Sequence, residues 1–327
     1  MLVHKSVLPE SVKSRGTAAA AGSFDGLHLG HRLILGRLID AAAEHDVTPI
    51  AVTFDPHPRS MVGDGNQSIS MLYSFDERLQ LLASVGIEHV FVIDFDDAFR
   101  SLTPAEYAKQ MVIGAWNAKH IVAGFNHTFG KDRTGDGSGL IALGQEFGFG
   151  VDIVQPVVIQ DHVVSSSTIR RLILEGDMPL ANAMLDRKFS LAGKVVRGFG
   201  RGRRMGCPTA NLGDIAQGKI IPRDGIYAAI AEVGEYAYPA AVSIGFNPTF
   251  GGQRHSVEAH LLDFDADLYD KMIVLRIIKR LRGEIKFSGE ESLSVQMRQD
   301  ITDIRNILTE EGFTLEPRKL LPHENVI

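Results

Sequence analysis

His28 and His31 stand three residues apart around Gly30 in the stretch Gly22-Ser23-Phe24-Asp25-Gly26-Leu27-His28-Leu29-Gly30-His31-Arg32. Residues 18–22 read as the end of a buried strand, Asp25-Gly26 as a turn, and residues 29–44 as a helix with apolar positions at Leu33, Ile34, Leu35, Leu38 and Ala41. That places both imidazoles at a helix N-terminus. There, unpaired backbone N–H groups and the positive end of the helix dipole favour a triphosphate, and an imidazole can hydrogen-bond a phosphate oxygen as charge develops on it. Gly30 would let the phosphate approach the backbone closely. A zinc pair is the poorer reading, because histidines on one helix face usually ligate at a spacing of four and no Cys or Glu completes a set nearby. The plain alternative is two surface histidines beside a helix start.

Other stretches carry compatible chemistry. Val164-Ser165-Ser166-Ser167-Thr168-Ile169-Arg170-Arg171 puts hydroxyls and arginines at a strand-to-helix junction, which is either a serine-rich cap or a phosphate site with Arg170 as its cation. Thr53-Phe54-Asp55-Pro56-His57-Pro58 and Gly124-Phe125-Asn126-His127-Thr128-Phe129-Gly130-Lys131 each follow a strand, where turns and ligand contacts are equally at home. Further on, glycines 198, 200, 202 and 206 alternate with Arg197, Arg201, Arg203 and Arg204 ahead of Cys207-Pro208-Thr209-Ala210-Asn211. A loop of this kind can wrap phosphates through its backbone N–H groups, while Thr209 and Asn211 offer oxygens to a magnesium ion held mainly by phosphates and water. It also reads as a flexible hairpin or an RNA-contacting segment. In Ser256-Val257-Glu258-Ala259-His260-Leu261 strand alternation sets Glu258 and His260 opposite the apolar residues, and a carboxylate so placed can take the proton of an attacking hydroxyl.

The elements that must position these groups divide the chain. Up to residue 185, apolar runs at 49–54, 89–93, 120–123 and 151–154 alternate with helical stretches at 74–85, 103–115, 138–147 and 167–175, the pattern of a doubly wound parallel sheet. Thr103, Pro104 and Glu106 supply cap, first turn and capping-box acid for one helix. From Phe189 the period changes: strands at 194–196, 225–233, 237–244, 256–262 and 271–281 imply a small antiparallel sheet or barrel, and residues 292–311 a closing helix with Leu293, Met297, Ile301, Ile304 and Leu308 on one face. The expected division is 1–185, 186–313 and a surface tail at 314–327.

Composition narrows the function classes. In 327 residues with 44% hydrophobic and 23% charged, a formal charge of −6 gives no electrostatic case for nucleic-acid binding, so anionic substrates must meet local arginines. One cysteine, Cys207, excludes an internal disulfide and suits a reducing cytoplasm. No apolar run approaches membrane-spanning length, so no membrane partner is expected.

The strand, turn and His-x-Gly-His start resemble the nucleotidylyltransferase superfamily, and residues 164–171 resemble its Ile-Ser-Ser-Thr-x-Ile-Arg motif, with Val164 and Ser167 as departures. Residues 124–130 resemble the Gly-x-Asp-Phe-x-Phe-Gly segment of prokaryotic FAD synthetases, with Asn126 for Asp and His127 for the aromatic. Pro208-Thr209-Ala210-Asn211 and Val257-Glu258-Ala259-His260 resemble riboflavin kinase motifs, with Met205, Cys207 and Asp270 as departures. Over residues 14–310, the motifs in this order resemble the prokaryotic bifunctional riboflavin kinase/FMN adenylyltransferases. The resemblance implies a Rossmann-like adenylyltransferase domain followed by a β-barrel kinase domain, acting on riboflavin, FMN and ATP with magnesium. It implies Glu258 as general base of the kinase, Thr209 and Asn211 as metal ligands, and Gly198, Gly202, Arg203 and Gly206 as nucleotide contacts. In the adenylyltransferase it implies His28, His31 and Arg170 as catalytic, with magnesium helping the leaving group. Gly22, Ser23, Phe24, Asp25, Gly26, Ser166 and Ser167 would then meet the nucleotide, and Asn126, Pro56 and His57 the flavin; Thr249, Phe250 and the closing helix are further flavin candidates in the kinase. The competing readings are an adenylyltransferase for another phosphate acceptor and a flavin-binding protein without turnover.

Overall fold

The structure, a computed structural model, describes residues 1–5, 7–57, 70–198, 202, 206–246 and 255–320. The chain divides into two compact units, Met1–Ser166 and Ser167–Ile327. Arg203, Thr249 and Phe250 lie outside the described residues, as do Pro58, Met205 and most of the arginine-bearing glycine loop.

In the first unit six strands form one parallel sheet: β1 (Leu2–Lys5), β2 (Thr17–Ala21), β3 (Thr48–Phe54), β4 (His89–Ile93), β5 (Ala118–Gly124) and β6 (Gly150–Val154), in spatial order β1-β4-β3-β2-β5-β6. Its helices are α1 (Glu10–Lys13), α2 (Leu29–Glu44), α3 (Phe75–Ser84), α4 (Asp97–Arg100), α5 (Pro104–Tyr107, continued as a π-helix over Ala108–Ala115) and α6 (Gly137–Phe147). Winding starts at β2 and runs out through β3 and β4, then returns to build β5 and β6 on the other side. The crevice for a ligand therefore falls at the C-terminal ends of β2 and β5. Ala18, Ala19 and Ala20 of β2 are fully buried, and their small side chains give room to α2, which packs on β2 and β5. The expected capping box forms: the Glu106 N–H donates to Thr103 Oγ1 at 3.3 Å and the Thr103 N–H to Glu106 Oε2 at 2.8 Å. A second box, Ser74 with Glu77, starts α3. Edge strand β1 was not anticipated, because four mostly exposed residues show no alternation. A short hairpin, β7 (Val158–Ile159) with β8 (His162–Val163), closes the unit.

Helix α7 (Ser166–Glu175) leads into the second unit, ending at Gly176 with φ +86°, and α8 (Met178–Leu185) follows under an Asp177 cap. Buried Asn182 joins α8 to the barrel, donating to the carbonyls of Ile277 (2.9 Å) and Ile278 (3.3 Å) and accepting from the Phe189 N–H (2.8 Å). The barrel strands are β9 (Phe189–Val196), β10 (Ala210–Gly213), β11 (Gly225–Val233), β12 (Tyr236–Phe246), β13 (His255–Leu261) and β14 (Met272–Arg282). They pair antiparallel in the order β11-β14-β9-β10-β13-β12, and β12 returns to β11, so six strands close on themselves. The closing helix α9 (Glu290–Glu310) packs on β11, β12 and β14. Ile304 and Leu308 of its apolar stripe are fully buried, whereas Leu293, Met297 and Ile301 are half-buried.

Two local readings change. Residues 210–213, taken from sequence as part of a loop, form β10, whose buried Ala210 and Leu212 alternate with Asn211 and Gly213. Four residues after a glycine-rich run are too few for that alternation to stand out. Within the expected tail, β15 (Arg318–Lys319) pairs with the start of β12, and Leu320 is buried with Ile304 and Leu308. The helix leaves apolar surface that this segment completes.

Candidate functional site

In the first unit His28 is the N-cap of α2, its Nδ1 accepting the His31 backbone N–H at 3.3 Å. That bond makes Nδ1 an acceptor and leaves the ring proton of the neutral imidazole on Nε2, so the other ring nitrogen is a donor. His31 stacks on it with ring centroids 3.7 Å apart and planes 16° from parallel, and Phe24 meets His31 edge-on at 5.3 Å. A Cβ at Gly30 would stand 3.3 Å from the His28 ring, so the absent side chain makes room for the imidazole itself.

The turn before the histidines is held from below. The carboxylate of Asp25, fully buried, accepts the N–H groups of Leu72 (3.1 Å) and Tyr73 (3.0 Å), just before the cap of α3. The carboxylate thus anchors the turn to the segment before α3. The Gly22 N–H is already donated to Val52, and Phe24 and Gly26 have φ of 47° and 89°. Ser166 donates its hydroxyl to the Asp25 carbonyl at 2.8 Å, so the start of α7 is tied to the same turn. Ser167 is exposed, and Arg170, one helical turn beyond Ser166, is 8% exposed.

Arg78 was not singled out in the sequence. It is 3% exposed and donates to the Ser23 carbonyl (2.7 Å), Thr53 Oγ1 (3.3 Å) and the Phe54 carbonyl (3.4 Å). Its one sequence signal is a charge on the buried stripe of α3, beside Leu81 and Leu82. The strand-end residues proposed for the flavin differ in setting: Pro56 and Asn126 are exposed, His57 is buried. His127 stacks on Phe129 at 5.7 Å, and burial, with Arg133 adding, pushes its imidazole down to about 4. A groove of about 550 Å³ runs along α2 past Arg32, Leu33 and Gly36 to Ile153 and Val154 at the end of β6.

The second unit assembles its candidates by strand pairing. Asn211 of β10 lies directly across from Glu258 of β13, and Thr209 Oγ1 donates to Glu258 Oε2 at 3.0 Å. Val257, Ala259 and Leu261 are buried while Glu258 and His260 are half-buried, the alternation read from sequence. His260 Nδ1 donates to the Pro208 carbonyl at 2.8 Å and so fixes the residue before Thr209. A Cβ at Gly198 would overlap the Asn211 amide, and one at Gly202 would overlap the Cys207 carbonyl and press on Thr209. Gly206, at φ +76°, turns the chain back toward them. At Gly198 and Gly202 the bare backbone is what lets the chain pass this close to Asn211 and Cys207. A cleft of about 320 Å³ opens beside it, lined by Thr209, Ala210, Ala259, Leu261, Phe264 and Tyr269. Among the described residues no group of three His, Cys, Asp or Glu side chains could hold a metal ion.

Known proteins share this layout. Residues 10–168 match the FAD synthetase family and residues 185–308 the riboflavin kinase family. The chain is 35% identical over 309 residues to the bifunctional riboflavin kinase/FMN adenylyltransferase of Bacillus subtilis, covering 91% of this chain and 93% of that protein. It is 30% identical over 286 residues to that of Escherichia coli, covering 87% and 90%. A crystal structure titled as a macrolide-efflux protein from Streptococcus pneumoniae superposes with a TM-score of 0.84 at 30% identity, over 94% of this chain and 99% of that one. Among the described residues no helix is long and apolar enough to cross a membrane. With both halves matched and relatives aligned along most of its length, the protein belongs to the bifunctional riboflavin kinase/FMN adenylyltransferase family, an FAD synthetase domain followed by a riboflavin kinase domain.

Proposed function

We propose that the two reactions run at two separate sites, one on each side of a boundary at residues 185/186: riboflavin is phosphorylated to FMN at Glu258, and FMN is adenylylated to FAD at His28 and His31. The observation that carries the kinase reading is the Thr209–Glu258 bond of 3.0 Å across from Asn211, which joins two motifs far apart in the chain. Glu258 takes the proton of the terminal ribityl hydroxyl as its oxygen attacks the γ-phosphorus, and ADP leaves. Thr209 positions the carboxylate before reaction and is released to the nucleotide, whose base lies in the adjoining cleft.

Magnesium fits this donor set. Hard oxygens of Thr209 and Asn211 stand beside glycines without side chains, where phosphates carrying most of the coordination can approach. These two residues would hold the ion, which when bound neutralises charge on the phosphates. Gly198, Gly202, Arg203 and Gly206 contribute the phosphate cradle.

In the first unit a phosphate oxygen of FMN attacks the α-phosphorus of ATP; the new O–P bond forms as the bond to pyrophosphate breaks. The acceptor is already a nucleophile, so no covalent enzyme intermediate is needed. His28 donates from Nε2 to the phosphates, His31 is stacked to do the same, and Arg170 neutralises the leaving pyrophosphate. The adenosine end follows the groove along α2, and Pro56, His57 and Asn126 face the flavin. A cytoplasmic setting suits the single, buried thiol of Cys207. Incubating the protein with riboflavin, ATP and magnesium and separating products tests the reading: FMN then FAD should accumulate, and both should fail without divalent metal. FMN without FAD, even from supplied FMN, would leave the first unit without its assigned reaction.

A further inference from the structure

We propose that Arg78 is a positioning residue for adenylyl transfer, setting the distance between the loop that holds ATP and the loop that holds FMN. The inference rests on the assignment of those loops above. Neighbouring parallel strands β2 and β3 pair with Ala21 opposite Val52, so the chain leaves both at the same edge of the sheet. The loop after β2 leads to His28 and His31. The loop after β3 leads to Pro56 and His57. Arg78 joins them: one guanidinium nitrogen reaches both the Ser23 carbonyl and Thr53 Oγ1, and the other reaches the Phe54 carbonyl.

The helix carrying Arg78 is itself fixed to the first loop, because Asp25 accepts the N–H groups of Leu72 and Tyr73 immediately before the Ser74 cap. Arg78 is therefore held by the ATP-side loop and in turn holds the FMN-side loop. A planar group with donors in fixed directions suits that task, because two guanidinium nitrogens share the three acceptors, where a lysine would have to serve them from a single nitrogen. Burial disfavours the cation while Asp25 and Asp55 favour it. Those two carboxylates belong to the same two loops, so each loop contributes a charge to keep the guanidinium in place.

The reaction needs an oxygen of FMN aligned with the α-phosphorus of ATP, and a displacement of about 1 Å between substrates costs on the order of 100-fold in rate. A residue that sets relative position alters the ternary complex more than either binary one. For Arg78→Met we expect kcat for FAD formation to fall about 100-fold, with the Kd of ATP alone and of FMN alone each within about 3-fold of wild type. Arg78→Lys should recover part of the loss. The binary affinities measured on the same samples serve as the folding control for the first unit, and riboflavin phosphorylation should be unchanged. An unchanged kcat in Arg78→Met, or weakened binary binding with kcat intact, would overturn the proposal. If Arg78→Met does not fold, Arg78→Lys carries the test: a kcat equal to wild type refutes it, and a fall with intact binary affinities supports it. Full FAD synthesis by a His28→Ala variant would instead refute the assignment of the ATP-side loop, a separate failure.

Discussion

The two regions proposed to handle phosphate differ in architecture. In the first unit a helix N-terminus presents two imidazoles three positions apart, and the helix itself fixes their stack. In the second, Thr209 and Glu258 are 49 positions apart and meet only because β10 and β13 pair in one register. A helix start makes a local device, robust to events elsewhere in the fold. A strand-built site depends on the whole barrel closing, and Gly198 and Gly202 must stay bare because a Cβ there would overlap Asn211 or Cys207.

The contrast can be broken by removing one group from each. Glu258→Ala should have the largest effect, lowering riboflavin phosphorylation about 10³-fold, while adenylylation of supplied FMN stays at wild-type rate. Loss of both reactions in a folded protein would end the claim of separate sites. His28→Ala should lower FAD formation about 10²- to 10³-fold and spare FMN formation, and removal of the cap should also destabilise α2 by about 1 kcal/mol. His28→Asn separates these effects, because asparagine caps well but lacks the imidazole: stability should return and activity should not. Wild-type FAD synthesis in His28→Asn would reduce the histidine to a cap.

Glycine substitutions probe the architectural difference itself. Alanine at 198 overlaps the side-chain amide of Asn211, a proposed metal ligand that must move aside to make room, so kinase turnover should fall on the order of 10- to 100-fold. Alanine at 30 comes no nearer than 3.3 Å, to the His28 ring, and a shift of that ring by a few tenths of an ångström relieves the contact, so FAD synthesis should fall by only a few-fold. Steady-state rates of both reactions in both variants would show it, and equal losses would remove the distinction between local and register-built sites.

What was legible in the sequence follows the same line. The helix Leu29–Glu44 and the strand His89–Ile93 were read to the residue, since apolar period and caps are local signals. The alternation at Glu258 was also visible, because one strand carries it. Strand β10 was not, and with it the face-to-face pairing of Asn211 and Glu258, which no stretch of either segment announces. At Asp25 the structure adds what the motif does not show: its carboxylate accepts two backbone N–H groups just before α3. Arg78 shows the converse. It belongs to no motif, and its three acceptors come from two other segments.

The smallest expected effect concerns His127, which stands where the family pattern has an aromatic. Burial and Arg133 hold its imidazole near 4, against an ordinary value near 6.5. Folded, the ring is neutral through most of that interval; unfolded, it takes up a proton there. The unfolded chain then binds more protons, so stability rises with pH across the window. The contribution is complete above about 6.5 and is lost as pH falls through 4, with a slope of at most about 1.4 kcal/mol per pH unit, reduced by the water that reaches a half-buried ring. His127→Phe keeps a ring against Phe129 and removes the titration. Urea denaturation at pH 7 and pH 5 should show wild type losing more stability than the variant over that step, with the difference confined to the transition of the first unit. A parallel loss in both proteins would mean that the imidazole is protonated in the folded state, and that position 127 presents the flavin side with a charge where the family has an apolar ring.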